Sequence, residues 1–589
     1  MKASSLPQAR VDVLIVGGGG AGLRAALEIA EARPHLSVGL VSKVYPMRSH
    51  TVAAEGGAAG VRSPDDSFAA HFADTVAGGD WLCDQSVVEH FVERAPAELA
   101  LLERWGCPWS RRSDGEVDIR RFGGMSRART WFAADKTGFH LLHTLFQRSL
   151  RYPQIRRFDE HFLLDLLTDS GAVVGALAYD HREGLPLHLS AGAVILATGG
   201  AARVFAQNTN ATIVTGEGMS MAMRAGATLR DLEFVQYHPT GLPGSGILIS
   251  EAARGEGGVL LNSAGHRYLA DYGLGPITEP GHPLAKHMEL GPRDRLSQAF
   301  WHEQQAGRTI ATPDGDVVHL DLRHLGRARL RQRLPLICEL ARSYVGIDPL
   351  KAPIPVAPSA HYTMGGVRTD LTTSTGVPGL YAAGEVASSG LHGANRLGSN
   401  SLAELLVFGR EAGRQAALHA EAVGSPTTAT TAATAAQADH LAAHYLGMRG
   451  AGSEPAAEIR RELGRTMADH LGIFRDEAGL QHAVDKLAEL KRRYAAVRVT
   501  DTCPVYNTEW AEAIELGGML DLAQVMAAGA LARRESRGAH QRLDHPERDD
   551  HGFLRHTLAT TGPDGPRLGY EDVTITTSAP AARTYGAPA

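Results

Sequence analysis

An α/β fold organised on a parallel sheet is predicted for this 589-residue chain by three strand-then-glycine units set far apart along it. The first is Val11-Asp12-Val13-Leu14-Ile15-Val16, an apolar run of the kind a parallel sheet buries on both faces. It meets Gly17-Gly18-Gly19-Gly20-Ala21-Gly22 at the start of an Ala/Leu-rich helix. The second is Ala193-Val194-Ile195-Leu196-Ala197 before Thr198-Gly199-Gly200, and the third is Gly379-Leu380-Tyr381-Ala382-Ala383 before Gly384-Glu385. Three such units, hundreds of residues apart, can line one ligand, so the nucleotide domain is expected to be discontinuous.

In chain order, Gly17 to Gly22 fits G-x-G-x-x-G with strand before and helix after. The first glycine allows a tight turn, the second lets backbone approach a pyrophosphate, and the third lets helix pack on strand, with phosphate at the helix N-terminus. Four glycines can also be a plain flexible turn; the flanking pattern favours the phosphate loop. The next strand, Leu36 to Val41, ends in Ser42-Lys43, where an NAD fingerprint would place Asp or Glu, and this departure argues against NAD. From 232 to 358 the texture turns to loops, His, Arg and short helices, as expected of an inserted α+β domain that closes over the site with substrate between the two. The nucleotide domain therefore takes 1–231 and 359–424. Residues 425–440, biased to Ala and Thr, read as a linker or weak helix entry opening a helical domain, 425–543, in which Ala483 to Arg498 carries a helical apolar pattern. A small C-terminal domain, 544–589, holds polar turns and one strand-like stretch, Val573-Thr574-Ile575-Thr576-Thr577.

Composition narrows the function. A net charge of −6 gives no basic stripe for nucleic acid, and the 27 histidines are spread without metal-ligand spacing. The four cysteines, Cys83, Cys107, Cys338 and Cys503, form no C-x-x-C pair, which argues against a disulfide framework and against an iron–sulfur cluster held by this chain alone. There is no run of 18 apolar residues and no charged-then-apolar leader, and Arg111-Arg112 is internal, so the chain is expected in the cytosol or on a membrane only through partners.

His50 stands in Arg48-Ser49-His50-Thr51-Val52-Ala53-Ala54-Glu55-Gly56-Gly57, about one βαβ unit after the glycine loop, a pairing that points to a flavin bonded covalently to histidine. Together with Asp74 to Asp80, Phe234 to Gly241, Arg254 to Gly258, Gly291 to Asp294, Gly393 to Ser401 and Arg534 to His540, this segment resembles the flavoprotein subunit of quinol:fumarate reductases over nearly the whole chain. The resemblance implies a discontinuous Rossmann-like FAD-binding domain with capping, helical and C-terminal domains. It also implies FAD attached through its 8α carbon to His50, which raises the flavin potential. Glu55 stands where succinate dehydrogenases usually have Gln; a carboxylate there would disfavour the reduced flavin anion and favour fumarate reduction.

Fumarate is a flat dianion, so its site needs donors at both ends and a proton donor over the double bond. By resemblance, His238 and Ser250 hold one carboxylate, His361 and Arg396 the other, and Phe122 packs on the apolar body. The family usually has Thr at the Ser250 position. Arg293 delivers the proton, with Glu251 and Arg254, three apart, as relay. FAD contacts carried over are Gly17, Gly18, Gly19, Gly20, Ala21, Ser42, Lys43, Ser49, His50, Thr51, Ala54, Glu55, Gly56, Gly57, Glu217, Glu385, Arg396, Ser399, Ser401 and Leu402. Partners implied are an iron–sulfur subunit and membrane anchor subunits carrying the quinone site, with this chain peripheral on the cytoplasmic face of the inner membrane. Two other readings stay open: an L-aspartate oxidase, which binds FAD without the histidine bond, and a flavin-binding assembly protein whose catalytic set has decayed.

Overall fold

A computed structural model describes residues 6–424, 428–450 and 452–583. The chain begins with β1 (Gln8–Val16), α1 (Gly20–Ala32) and β2 (Val38–Ser42). After α2 (Gln85–Arg104) and α3 (Thr137–Ser149) come β3 (Ile155–Asp159), β4 (His161–Asp169), β5 (Ala172–Asp180) and β6 (Leu185–Leu196). These strands form one sheet in the order β3-β2-β1-β6-β5-β4, parallel from β3 to β6 and antiparallel beyond. Alternation along the central strands sends Leu14, Val16, Val194 and Leu196 into one apolar cluster and Val13, Ile15, Ala193 and Ile195 into another, so both faces are covered, as a parallel sheet requires.

The insertion begins beyond α4 (Glu217–Arg224). Its strands β7 (Val235–Gly241) and β8 (Ile354–Thr363) pair antiparallel, and between them runs α5 (Arg293–Gln305). The chain then returns as β9 (Leu380–Ala382), which lies parallel to Val194–Leu196 of β6. Because β5 pairs with β6 only as far as Ser190, β9 takes over the same edge at the end that faces the site. Helix α6 (Asn400–Val423) crosses α1 at its glycines: a Cβ on Gly409 or Gly413 would come within 2.7 or 2.5 Å of the Ala21 and Ala25 carbonyl oxygens.

The Ala/Thr run is no linker where it is described. It forms most of α7 (Thr428–Leu446), and Ala438 and Ala442 pack with Phe162, Leu164 and Trp510; Ser425 to Thr427 lie outside the described residues. Alanine's helix propensity and small side chain account for the difference. The pattern over Ala483 to Arg498 belongs to α8 (Glu477–Tyr494), which stops before Val497-Arg498 pairs with Glu454-Pro455. Helix α9 (Thr508–Ala532) is long and apolar enough to cross a membrane, but 72% of its most apolar window is buried inside the protein, as in a core helix. The C-terminal hairpin is β10 (Arg555–Gly562) and β11 (Gly565–Asp572), and β10 pairs with Leu229-Arg230. Val573 to Thr577 is not a strand: its backbone groups turn to Asp84 and Gln85 instead of to a ladder.

Candidate active site

The three glycine units converge on one cleft, whose wall Gly17, Gly199 and Gly384 share. At Gly17, φ is +120° and a Cβ would lie 2.1 Å from the Ala197 carbonyl oxygen, so the turn tolerates only glycine and is pressed against the end of β6. A Cβ on Gly22 would strike the Gly17 carbonyl at 1.9 Å. The N-cap of α1, Gly19, has no side chain to cap the helix, the Gly20 N–H donates to Thr51 Oγ1 at 3.2 Å, and Gly19, Gly20 and Ala21 at the helix start line the cleft. Uncapped donors in a cradle closed to side chains suit a pyrophosphate, and the residues present therefore fit FAD.

Beyond β2, Lys43 lies between two carboxylates. Its ammonium donates to Glu515 at 2.6 Å and to the Ile213 carbonyl at 3.2 Å, and it pairs with Glu217, which Thr215 also contacts. Burial alone would lower the lysine, but Glu217 and Glu515 together hold it above its ordinary value. Glu385 accepts from the Thr363 N–H at 3.0 Å, and burial raises its carboxyl to about 7.

His50 opens a short 3₁₀ turn, His50–Ala53, and its Nδ1 accepts from the Ala211 N–H at 3.4 Å. Burial lowers it to about 4, so the imidazole is neutral at physiological pH. At Glu55, burial and nearby Asp135 raise the carboxyl well above the usual range, against the pull of Arg120, and its Oε2 has no partner among the described residues. The shift works against a negative charge at this position.

At the other end of the cleft Phe122, His238, Ser250, Glu251, Arg293, His361 and Arg396 share the wall. Phe122 lies over Gly56, where a Cβ would meet its ring at 2.9 Å. His238 and His361 stand edge to face with ring centroids 5.1 Å apart, and both are held well below the ordinary imidazole value, first by burial and then by Arg293 and other nearby cations. Thr240 holds His238 Nδ1 through its N–H at 3.3 Å and its hydroxyl at 3.2 Å, and the buried Nε2, on the far side of the ring, has no partner among the described residues. Arg396 donates to Ser401 Oγ at 2.8 Å and lies over the Tyr362 ring at 4.3 Å; its Nε is also unpartnered, and burial and Arg293 lower its guanidinium to about 10.

Arg293 reaches Glu251 Oε2 through Nε at 2.8 Å and Nη2 at 2.7 Å. Burial would raise Glu251, but Arg293 and Arg254 overcome it and keep the carboxyl below its ordinary value, ionised. Arg254 is the one predicted residue that does not line the cleft. It lies behind Glu251, 3.7 Å away and fully buried, and donates to the Glu289 carbonyl. It therefore has neither contact with the cleft nor an open face to solvent.

Other predicted residues also line the cleft: Ser42, Ser49, Ala54, Gly57, Ser399 and Leu402. Ser399 accepts from Thr130 Oγ1 at 3.1 Å and holds φ +64° ahead of α6. Four residues escaped the sequence reading. Gln236 accepts from both Arg293 and Arg396, Asn395 accepts from Gln236 Nε2 at 2.8 Å, Thr209 contacts His361 Nδ1 at 2.7 Å, and Glu515 pairs with Lys43. Gln236 sits two residues from His238 on β7 and Asn395 stands next to Arg396, and that proximity was the available signal; nothing local marks Thr209 or Glu515.

Residues 12–402 match the family described as FAD binding domain, and residues 460–585 match that described as fumarate reductase flavoprotein C-terminus. The chain is 60% identical to the fumarate reductase flavoprotein subunit of a Serratia species, over 98% of this chain and 97% of that one. It is 59% identical to the corresponding subunit of Escherichia coli K12, over 98% and 96%. Its fold superposes on a chain of Escherichia coli quinol fumarate reductase with a TM-score of 0.96 at 59% identity, covering 99% of this chain and all of the other.

Proposed function

Because the chain belongs to the fumarate reductase flavoprotein family, we propose that it is the catalytic flavoprotein subunit of a membrane-associated quinol:fumarate reductase, reducing fumarate to succinate and able to run in reverse. The observation that carries this reading is a single cleft with a glycine cradle at one end and Arg293, Arg396, His238 and His361 at the other. Such an arrangement suits a dinucleotide beside a small dianion.

His238, through its unpartnered Nε2, and Ser250 take one carboxylate; His361 and Arg396 take the other, the guanidinium with two parallel donors that lysine cannot imitate. Phe122 packs on the apolar body between them. When bound, FAD supplies the hydride for one alkene carbon. Arg293 gives its proton to the other carbon; Glu251, hydrogen-bonded to it and a carboxylate at rest, takes up a proton through Arg254 and passes that proton to Arg293, so that one proton from solvent is consumed per turnover. Arginine is a poor acid towards ordinary bases, but the acceptor here has carbanion character, and the permanent charge stabilises it as it forms. Arg254, away from the cleft, serves as the outer member of the relay.

His50 carries the 8α bond, and its neutral imidazole suits a nucleophile. Gly17 to Ala21, Ser42, Lys43, Ser49 to Gly57, Glu217, Glu385 and Arg396 to Leu402 hold the cofactor. The chain divides into an FAD domain (1–231 and 359–424), a capping domain (232–358), a helical domain (425–543) and a C-terminal domain (544–589). Its partners are an iron–sulfur subunit and membrane anchors with the quinone site, and it sits on the cytoplasmic face of the membrane.

The test uses the chain taken from native membranes, denatured in acid and run on a gel. Flavin fluorescence should travel with the band and vanish in His50→Ser. Flavin that washes free would favour the L-aspartate oxidase reading.

A further inference from the structure

After β11 the chain does not trail into solvent. Thr574 donates its N–H to Asp84 Oδ1 at 2.9 Å, and the buried side-chain carbonyl of Gln85 accepts three successive backbone N–H groups, from Thr576, Thr577 and Ser578, at 3.0, 3.0 and 2.9 Å. Gln85 Nε2 returns a bond to the Ser578 carbonyl at 2.6 Å, and Trp81 Nε1 donates to Ser578 Oγ at 3.0 Å. The Ala581 carbonyl accepts from Arg548 at 2.8 Å. This segment is sewn across the start of α2 by specific polar contacts, and it ends by delivering Arg583 to Asp294, the residue next to Arg293.

Arg583 grips Asp294 with two donors, Nη1 to Oδ2 at 2.6 Å and Nη2 to Oδ1 at 3.2 Å, with side-chain exposures of 10% and 1%. A bidentate pair so well removed from water holds its geometry far better than a surface pair does. Asp294 Oδ1 also accepts from Asn395 Nδ2 at 3.2 Å; Asn395 Oδ1 accepts from Gln236 Nε2 at 2.8 Å; and Gln236 Oε1 accepts from Arg293 at 3.0 Å and Arg396 at 3.2 Å. One unbroken chain of hydrogen bonds therefore joins the carboxy-terminal segment to both arginines of the cleft.

We propose that Arg583 is a positioning residue for fumarate reduction: the segment 573–583 straps the start of α5 in place through Asp294 and so fixes where the Arg293 guanidinium points. This rests on the reading of Arg293 as the proton donor. Without Arg583, Asp294 keeps Asn395 as its one side-chain donor among the described residues, and the first turn of α5 loses the contact that ties it to the carboxy-terminal segment. A displacement of about 1 Å at a reacting group can cost roughly a hundredfold in rate.

The test measures kcat, KM for fumarate and flavin content in the intact complex for Arg583→Ala, Arg583→Lys and a chain ending at Ser578, beside Arg293→Ala. The expected result for Arg583→Ala and the shortened chain is full flavin content, KM within about twofold and kcat down about tenfold, with Arg583→Lys recovering most of the loss. Unchanged kcat in both variants overturns the proposal, as does a joint fall in flavin content, kcat and affinity, which marks a general role in folding. An inactive Arg293→Ala beside a normal Arg583→Ala would fault the strap alone. Near-normal turnover in Arg293→Ala would overturn the proton-donor reading and the strap with it.

Discussion

Arg293 and Arg396 meet on one atom, the side-chain oxygen of Gln236, at 3.0 and 3.2 Å. Two buried guanidiniums repel each other, and a shared neutral acceptor fixes both without cancelling the charge that a dianion needs. Gln236→Leu removes that acceptor from both at once. Its kcat/KM for fumarate should fall about 10- to 100-fold, some 1.4–2.7 kcal/mol, with flavin content intact. A loss below about threefold would show that the arginines are held by other contacts.

The proposed bond between His50 and the flavin predicts a pH dependence for cofactor attachment. An ordinary imidazole gains a proton near 6.5, whereas burial lowers His50 to about 4. The neutral, nucleophilic form is therefore present from alkaline pH down towards the lowered value and is lost as pH falls through it. Apo-chain supplied with FAD should keep its attachment rate between about pH 8 and about pH 5.5, where an unshifted histidine would already have lost about tenfold. A tenfold fall over that interval would contradict the burial of His50.

Burial and Asp135 raise the Glu55 carboxyl well above its ordinary value, which favours the neutral acid. Glu55→Gln exchanges that acid for a neutral group of similar size. The flavin midpoint potential should therefore move by less than about 30 mV, the value of a tenfold change in a two-electron couple. A larger rise, measured by spectroelectrochemical titration near neutral pH, would restore the charge to Glu55.

Lys43 separates Glu217 from Glu515. Lys43→Met leaves the two carboxylates facing each other in a buried site and should cost about 3 kcal/mol in chemical denaturation. Adding Glu515→Gln to that variant should recover part of the loss, since the two changes act on one cluster. Additive losses would break the link between β2 and α9.

The glycine loop was legible because its signal is local: Gly17 to Gly22 announces a tight turn on a helix start, and Gly17 to Ala21 line the cleft. His50, His238, Arg293 and Arg396 line it too, and these came from resemblance to a family rather than from composition. What sequence could not reveal depends on pairs joined only in space. Glu515 on α9 looks like any helical acid until Lys43 arrives, and Arg583 looks like a tail residue until Asp294 is beside it. The shift at Glu55 is of the same kind, set by its buried surroundings rather than by its residue type. Arg254 entered the relay by the same resemblance, and the short helix Ala252–Gly255 places it behind Glu251, away from the cleft. Of the two readings of the Ala/Thr run, linker or helix entry, the described residues form a helix, because alanine is the strongest helix former.

The late arrival of β9 has a consequence for how the protein is made. A ribosome that has released the glycine loop, His50 and the whole insertion still holds back the strand beside Val194–Leu196, together with Glu385, Arg396 and Ser399. Until about two-thirds of the chain has emerged, the central sheet carries an open edge and the cofactor has no floor on that side. Capture of flavin is thereby deferred to the last third of translation, and until then β6 is only partly paired.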